Sequence, residues 1–541
     1  MFETPSWPPK RRRINDENSN TTPTLPLHTL QPTTPLLTTR SSSPDSEAYP
    51  VTPRSPLADK VNRKSYRNGY EIKPQTPSYR PYTINNPGHA RMKAFAFPSF
   101  PRLSQLKPLD ADDWNRLALE EGVLGEGLRL RDYQVEAANV IVSREKDICI
   151  VAPTGSGKSL IWVLPLLAQR KGISLVIVPF TSLGFQGEQR HSNTRVQSTF
   201  THSGAAGAEV LERIAFGGTM QVIYTCPEML ETPAFARVLY SESFRAQLSG
   251  IYIDEAHVVH ESHTWRPAYT RLGHVRKIIG TGVPIICLSA TFPKRYRDSL
   301  ETYAALRPDY YLINLGNYRP ELSTIIARMQ HDAASFLDLA FVLPSNATET
   351  TLKQAIIYCD DLEMLTAMFW WFYARLREFN LPMYLVDILH AGLSEDHQRA
   401  CTEDFIGNKI KILLGSDKIG AGMDFPNVAL VVQYRCRDLT LVRWEQRRGR
   451  GARRDGSSAV GVILVEKSMT GDDGDLSVST PKTEDPALLD LIHSTTCQVA
   501  VVDRWIENPP RPNTIPNTRC EQCSNCNPNL RVDFELNWIM E

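Results

Sequence analysis

Two series of short apolar runs, each alternating with helix-like segments, constrain the fold of this 541-residue chain more than any other feature. Continuous apolar runs of about four to eight residues are typical of strands that are covered by helices on both faces of a parallel sheet. The clearest runs are 147–151, 175–178, 221–224, 250–253 and 285–288 in the first series, and 354–358, 410–414, 428–432 and 460–464 in the second. The alternation predicts an α/β protein with two tandem parallel-sheet lobes.

Composition divides the rest of the chain. The N-terminal segment is rich in Ser, Thr and Pro and has no sustained hydrophobic period, which predicts disorder. An acidic segment rich in Ser, Thr and Gly after the second series predicts a flexible linker. The predicted parts are a tail at 1–104, a first lobe at 105–317, a second lobe at 318–467, a linker at 468–486, a small C-terminal subdomain at 487–530 and a second tail at 531–541.

A glycine-rich segment at 152–159 lies between the first strand of the first lobe and an apolar segment that predicts a helix from Ser159. Its glycines allow backbone N–H groups to surround an anion at a helix N-terminus. Lys158 would reach the β and γ phosphates of a nucleotide, and the Ser159 hydroxyl would face Mg²⁺. A Gly/Ser turn before a helix cap is the alternative. The residues predicted to contact the phosphates are Thr154, Gly155, Ser156, Gly157, Lys158 and Ser159.

Two adjacent carboxylates, Asp254 and Glu255, directly follow the strand that ends at Ile253. Ligands bind at the carboxyl ends of strands in open α/β sheets, so this position favours a functional role over an acidic turn. Asp254 is placed to hold Mg²⁺, while Glu255 would orient and deprotonate the water that attacks the γ phosphate.

Four cysteines near the C-terminus have metal-ligand spacing. Cys520, Cys523 and Cys526 are each separated by two residues, and Cys497 lies upstream within an apolar pattern that predicts a helix over 488–506. In a reduced compartment four such thiolates favour tetrahedral Zn²⁺ over disulfides. Reduced or redox-active cysteines are the alternative.

These segments occur in the order found in superfamily-two helicases, and the chain most resembles the RecQ family of DNA helicases over about residues 128–526. The resemblance implies that Arg131 and Gln134 contact the adenine of ATP. It also implies that Leu288-Ser289-Ala290-Thr291 links hydrolysis to strand movement. In the segment 258–269, which resembles the aromatic-rich loop of the family, Trp265 would stack on a single strand and Arg266 would pair with it.

The second lobe supplies the remaining residues of the resemblance. In the segment 415–424, Ser416 would contact a nucleic-acid phosphate and Asp424 would help to close the nucleotide cleft. Arg450 and Arg453 lie four and seven residues after Gln446, where the family has its arginine fingers. The cysteine cluster resembles the zinc-binding subdomain of the family.

The resemblance therefore implies an enzyme that uses ATP, Mg²⁺ and Zn²⁺, moves 3′ to 5′ on single-stranded and forked DNA, and acts in DNA repair and recombination. Family members commonly carry a winged-helix and a further helical domain after this point, and we expect this chain to lack both. Two alternatives stay open: an RNA-dependent ATPase of the same superfamily, and a nucleic-acid-binding or partner-binding protein with a decayed motor.

Charge and hydropathy bear on location. The formal net charge is zero, so any nucleic-acid surface must be local. No apolar run approaches the roughly 18 residues of a membrane span, and the N-terminus lacks a signal-peptide core, which predicts a soluble intracellular protein. Lys10, Arg11, Arg12 and Arg13 form a basic cluster that predicts recognition by a nuclear import receptor, with a solvated charge run as the alternative.

Overall fold

The computed structural model describes residues 103–192, 194–202, 207–215, 220–263, 265–420, 425–469, 485–511 and 520–533, together with two short strands, β1 (Tyr66–Arg67) and β2 (Tyr70–Glu71). These two strands pair antiparallel within a unit at Met1–Lys93, and both lobes belong to a second unit at Ala94–Glu541. The predicted tails and linker lie largely outside the described residues. The basic cluster Lys10 to Arg13 and Asp424 lie wholly outside them.

The first lobe is built on a parallel sheet of seven strands in the order β5-β6-β4-β7-β8-β3-β9. All strand runs predicted for the first series lie in this sheet. The strands are β3 (Ile148–Val151), β4 (Ile173–Ile177), β5 (Ser198–Thr201), β6 (Val222–Thr225), β7 (Leu248–Ile253), β8 (Ile285–Ser289) and β9 (Tyr311–Asn314).

Helices cover both faces of this sheet. Alternate residues of β3 enter two different cores, with Cys149 and Val151 in one and Ile148 and Ile150 in the other, as the two-residue period of a strand requires. The helices are α1 (Ala111–Glu120), α2 (Asp132–Ser143), α3 (Leu164–Ala168), α4 (Thr181–Arg190), α5 (Gly207–Ala215), α6 (Pro227–Leu230), α7 (Pro233–Tyr240), α8 (Glu242–Gln247), α9 (His257–Glu261), α10 (Gly273–Ile279) and α11 (Lys294–Tyr303).

The second lobe has a parallel sheet of six strands in the order β10-β15-β14-β11-β13-β12. The chain passes from the first sheet to the second between Asn314 and Leu322. The strands are β10 (Leu322–Arg328), β11 (Gln354–Tyr358), β12 (Val386–Leu389), β13 (Ile412–Gly415), β14 (Val428–Tyr434) and β15 (Ala459–Val465). The helices are α12 (Leu362–Glu378), α13 (Glu395–Ile406) and α14 (Leu441–Arg448). The predicted two-lobe α/β class is confirmed.

The segment after the phosphate loop differs from the predicted helix. A 3₁₀ turn at Lys158–Leu160 follows the loop, and the short helix α3 begins only at Leu164. Pro165 lies in the first turn of α3, where its missing N–H is harmless. The same residue within a helix running from Ser159 would remove a hydrogen bond and clash with the preceding turn, which explains the interruption.

The C-terminal part packs on the second lobe. Instead of the single helix predicted over 488–506, α15 (Pro486–His493) and α16 (Gln498–Ile506) are separated at Cys497, which caps α16; α17 (Asn529–Asp533) follows. The Ser494 hydroxyl accepts a hydrogen bond from the Thr496 backbone, and such side-chain bonds compete with helix continuation. Trp444 of α14 and Ile463 of β15 share one buried cluster with α15 and α16.

The end of α16 also contacts the first lobe. The Glu507 carboxylate accepts hydrogen bonds from the Lys294 backbone (3.3 Å) and from Arg297 Nη2 (2.9 Å) of α11. The Glu507 carbonyl accepts from Asn314 Nδ2 at 2.7 Å. Thr440 of the second lobe donates to Glu261 of the first at 3.2 Å. These polar contacts position the two sheets across a shared cleft. In the described part of the chain, no helix has the length and apolar character needed to cross a membrane.

Candidate active site

The phosphate loop curls around its own lysine. Gly155 and Gly157 have φ values of +81° and +82°, which only glycine adopts without strain. Lys158 Nζ donates to the carbonyl oxygens of Ala152 (2.9 Å) and Pro153 (3.1 Å). Burial lowers the pKa of Lys158, against the attraction of the two acidic residues described below. The amine therefore lies inside the loop, with backbone carbonyls in the place of phosphate oxygens.

The first turn of α2 supports this loop. Gln134 Oε1 accepts from the Arg131 backbone at 2.8 Å, and Gln134 Nε2 donates to the Gly157 carbonyl at 3.0 Å. A Cβ on Gly157 would lie 2.7 Å from that amide nitrogen, so a larger residue would displace the Gln134 amide in addition to straining φ. The Tyr133 hydroxyl donates to the Ser156 carbonyl at 2.8 Å. Contact of Arg131 and Gln134 with adenine stays a prediction.

The acidic pair lies at the carboxyl end of β7. The Asp254 backbone donates to the Ile177 carbonyl of β4 at 3.0 Å, so the sheet continues into this residue. Glu255 has a φ of +48°, and its backbone donates to Asp254 Oδ1 at 3.0 Å. Burial, reinforced by Glu255, raises the pKa of Asp254 to about 7. A strained turn thus directs two neighbouring carboxylates to the cleft.

The environment keeps Glu255 ionised. Burial opposes ionisation, but electrostatic interaction with His257, Lys158 and Arg450 outweighs it and lowers the pKa of Glu255. Its Oε2 atom is 3.3 Å from His257 Nδ1 and accepts no hydrogen bond from the described residues. A carboxylate with an open acceptor is suited to receive a proton from a bound water.

A short relay connects this pair with β8. His257 Nδ1 lies 2.9 Å from Ser289 Oγ. The Ser289 hydroxyl donates to the Thr291 carbonyl (3.0 Å) and accepts from the Thr291 backbone (3.2 Å). The segment predicted to link hydrolysis to strand movement is therefore connected to Glu255 through His257.

The predicted arginine fingers follow α14 in the second lobe. Arg450 is largely buried, and Arg453 Nε donates to the Gly449 carbonyl at 3.4 Å. Between them Ala452, which stands where the family usually has Gly, has a φ of +49°. Arg319 donates to the carbonyls of this loop, including that of Ala452 at 2.5 Å. A residue of the interlobe segment thus fixes the backbone that carries both fingers.

One cavity of about 780 Å³ brings the predicted residues of both lobes together. The two arginines lie across it from the phosphate loop and the acidic pair, although more than 190 residues separate the two sets in the chain. Its lining includes Thr154, Gly155, Gly157, Lys158, Ser159, Asp254, Glu255, Arg450 and Arg453.

A second cavity of about 730 Å³ lies at the same interface and shares Glu255 and Arg450 with the first. Trp265 and Ser416 line it, and Trp265 is 64% exposed, so it is available for stacking. Arg266 also lines it, but its guanidinium pairs with the Glu228 carboxylate at 2.6 and 2.9 Å. Contact of Arg266 with a nucleic acid would therefore compete with this ion pair.

Arg447 is a residue of this interface that the sequence did not identify. Its buried guanidinium donates to Asp360 (2.5 and 3.0 Å), to Asp417 (2.6 and 3.0 Å) and to Gln433 Oε1 (2.5 Å), and it lies over the Tyr358 ring. It joins the helix that precedes the fingers to three strand ends. The arginine-rich run 447–454 pointed to this part of the chain. That run alone does not show which of its arginines forms ion pairs with carboxylates of the second lobe.

The four cysteines predicted to bind zinc lie together. The sulfur atoms of Cys497, Cys520, Cys523 and Cys526 are all within 4.8 Å of one another. Tetrahedral Zn²⁺ with Zn–S distances of about 2.3 Å needs sulfur atoms about 3.8 Å apart, so the cluster fits the ion. The loop is anchored to β10, because the Thr324 backbone donates to the Gln522 carbonyl (2.8 Å) and accepts from the Ser524 backbone (3.0 Å).

Two domain models match the chain in the order of its lobes. A DEAD/DEAH box helicase domain matches residues 131–299, and a helicase conserved C-terminal domain matches residues 338–455. Solved structures of similar fold include the DUF1998 helicase MrfA bound to DNA and AMPPNP (20% identity, TM-score 0.51, 67% of this chain and 52% of that chain). Another is Mss116p bound to single-stranded RNA and AMP-PNP (17% identity, TM-score 0.50, 75% and 84%). The fold and the site define a superfamily-two helicase.

Curated relatives narrow the class. The ATP-dependent DNA helicase RecQ of Synechocystis sp. is 27% identical over 59% of this chain and 65% of its own length. The probable ATP-dependent DNA helicase RecS of Bacillus subtilis is 27% identical over 59% of this chain and 61% of its own length. The helicase hus2/rqh1 of Schizosaccharomyces pombe is 28% identical over 68% of this chain and 28% of its own length. The chain belongs to the RecQ family, and the matches span less than two thirds of these relatives.

Proposed function

We propose that this chain is an ATP-dependent DNA helicase that couples hydrolysis to 3′ to 5′ movement on single-stranded DNA and to unwinding of duplex or forked DNA. The observation that carries the proposal is the cavity of about 780 Å³, to which the first lobe contributes Lys158 and Glu255 and the second lobe contributes Arg450 and Arg453. Because the charges that a triphosphate requires come from both lobes, hydrolysis depends on how the lobes approach each other.

The geometry suggests a role for each group. Lys158 would exchange the carbonyls of Ala152 and Pro153 for the β and γ phosphate oxygens. Ser159 and Asp254 are the ligands proposed for Mg²⁺, which when bound would neutralise phosphate charge. Glu255 would accept the proton of the attacking water.

The second lobe would complete the transition state. Arg450 and Arg453 would stabilise the charge that develops at the γ phosphate, a contribution on the order of 10³ to 10⁵ in rate for an arginine finger. Both line the cavity together with Lys158. Loss of either arginine should therefore lower kcat rather than weaken ATP binding.

Nucleic-acid coupling is proposed through the neighbouring cavity. A strand that stacks on Trp265 and contacts Ser416 would lie against residues that also border the nucleotide, because Glu255 and Arg450 line both spaces. Phosphate and stacking contacts do not distinguish the sugar. The choice of DNA over RNA rests on the relatives, which are named DNA helicases.

ATP hydrolysis by the purified full chain, measured alone, with single-stranded DNA and with single-stranded RNA, tests the proposal. Lys158→Ala serves as the inactive variant, and Lys171→Ala, at an exposed site away from the loop, is the matched control. We expect stimulation by DNA that disappears in Lys158→Ala and persists in Lys171→Ala. Equal or greater stimulation by RNA would favour the RNA-dependent ATPase. Hydrolysis no higher than that of Lys158→Ala under every condition would favour a binding protein with a decayed motor.

Polarity and unwinding need a separate measurement. Strand displacement is compared on duplexes with a single-stranded 3′ or 5′ tail of equal length. Displacement that requires the 3′ tail and ATP supports 3′ to 5′ movement. Displacement that requires the 5′ tail contradicts it, and DNA-stimulated hydrolysis without displacement limits the activity to translocation.

We further propose that Cys497, Cys520, Cys523 and Cys526 hold a structural Zn²⁺, and that the protein is nuclear. The clustered sulfur atoms support the zinc site. The basic residues Lys10, Arg11, Arg12 and Arg13 support nuclear localisation. Localisation of a fluorescent fusion with these four residues changed to alanine tests the second proposal. Unchanged nuclear accumulation would refute import through this cluster.

A further inference from the structure

Three side chains of metal-ligand type meet in the second lobe. Asp387 lies on β12, the edge strand of the sheet, and His397 and Cys401 lie on α13. The two helical residues are four positions apart, which brings them to the same face of α13. None of the three is among the residues that line the two interlobe cavities.

The ligand atoms of these side chains all lie within 4.8 Å of one another. His397 Nε2 is 3.4 Å from Asp387 Oδ1. The carboxylate is oriented by its neighbour, because Asp387 Oδ1 accepts from the Ile388 backbone at 2.7 Å. The helix is anchored at its start, where Ser394 Oγ accepts from the His397 backbone at 3.3 Å. All three groups are therefore held by regular secondary structure.

Burial gives the cluster a closed side and an open side. Cys401 is 2% exposed, whereas the Asp387 and His397 side chains are 26% and 41% exposed. A cation would reach the thiolate from the solvent side, and water would complete its coordination. Three protein ligands and one open position form a common arrangement for zinc.

The three donors also differ in chemical type. Sulfur and imidazole nitrogen select zinc-like transition metals over Mg²⁺ or Ca²⁺, which prefer oxygen. A divalent cation would bind the Cys401 thiolate and neutralise the Asp387 carboxylate in one step, and the thiol proton would pass to water.

We propose that Asp387, His397 and Cys401 form a second metal site, which binds one zinc-like divalent cation with water as the fourth ligand. The site is distinct from the four-cysteine cluster and does not depend on the proposed helicase activity. The metal would link β12 to α13, which the loop 390–394 connects. Ala391 of this loop lines the cavity of about 730 Å³. The metal would thus fix a loop at the proposed nucleic-acid surface.

Titration of Co²⁺ into the full chain tests the site, because cobalt bound to thiolate has a characteristic charge-transfer absorption. We expect the unsubstituted chain to take up one more equivalent of Co²⁺ with this absorption than Cys401→Ser does. The difference between the two proteins is independent of whatever metal the four-cysteine cluster holds. His397→Gln and Asp387→Asn should weaken this equivalent at least about tenfold.

His274→Ala, at an exposed histidine of the first lobe, is the matched control and should bind Co²⁺ like the unsubstituted chain. The milder substitution His397→Gln replaces an exposed side chain and keeps the test valid if Cys401→Ser disturbs folding. Equal uptake and equal absorption by the unsubstituted chain, Cys401→Ser and His397→Gln would overturn the proposal. That outcome would leave a His–Asp pair beside a buried thiol.

Discussion

Replacement of Arg319 tests how the finger loop is held. Its side chain is 10% exposed, donates to the carbonyls of Gly449 and Gly451 at 3.1 Å each and of Ala452 at 2.5 Å, and pairs with Glu321 at 2.6 Å. Hydrogen bonds from a charged donor contribute about 1.5–3 kcal/mol each. The backbone of Ala452 opposes the loop conformation that these bonds hold, because a left-handed conformation costs a non-glycine residue about 1–2 kcal/mol.

Arg319→Ala removes the three hydrogen bonds to the loop carbonyls and the ion pair with Glu321, and it leaves the strained alanine. Water in the cavity replaces part of the loss, and about 3 kcal/mol remains, the value of two such contacts at their lower limit. If the loop must regain its geometry in the transition state, this energy is added to the barrier. The expected result is a fall in kcat of about a hundredfold with little change in KM for ATP.

The assay is steady-state ATP hydrolysis at saturating single-stranded DNA, with circular dichroism to verify folding. Ala452→Gly relieves the strain, so it should partly restore kcat in the Arg319→Ala background and be nearly neutral alone. Arg328→Ala, at an exposed arginine of β10, is the control. A folded Arg319→Ala protein with kcat within twofold of the parent, or a loss confined to KM, would refute the reasoning.

Three further predictions concern stability and metal content. Asp147→Ala leaves the buried Arg276 guanidinium without its carboxylate partner at 2.5 Å. The free energy of unfolding, measured in urea, should therefore fall by about 3–5 kcal/mol. A loss under about 1 kcal/mol would contradict this prediction. Burial, with Arg190, lowers the pKa of His191 to about 4. Between pH 4 and 6.5 the native state then binds fewer protons than the unfolded state, so His191 lowers the free energy of unfolding as the pH falls through this window. The His191→Asn protein should therefore lose less stability from pH 7 to 5 than the parent does. Cys523→Ser should lower the zinc content by one ion per chain and the melting temperature with it, whereas unchanged zinc content would argue against the four-cysteine site.

Residues that act through local sequence were predictable. Gly155, Gly157 and Lys158 work within one turn of backbone, so their spacing indicates the loop. The position of Asp254 directly after β7 was predictable from the end of the apolar run, and its role at Mg²⁺ stays a prediction. The less apolar strands were missed. β5, β9, β10 and β12 carry Ser, Thr, Tyr, Asn, Arg or Asp, and their pairing depends on neighbours in the sheet.

Patterns within a few residues predict the most apolar strands of both sheets and the polar residues that follow them. The contacts of Arg319 with the finger loop, of Arg447 with Asp360 and Asp417, and of Asp387 with α13 depend on the tertiary structure. Asp360 and Asp417 lie 87 and 30 residues from Arg447, and the finger-loop carbonyls lie 130 to 133 residues from Arg319. Side chains so distant in sequence meet through sheet order and lobe packing, which no local pattern encodes.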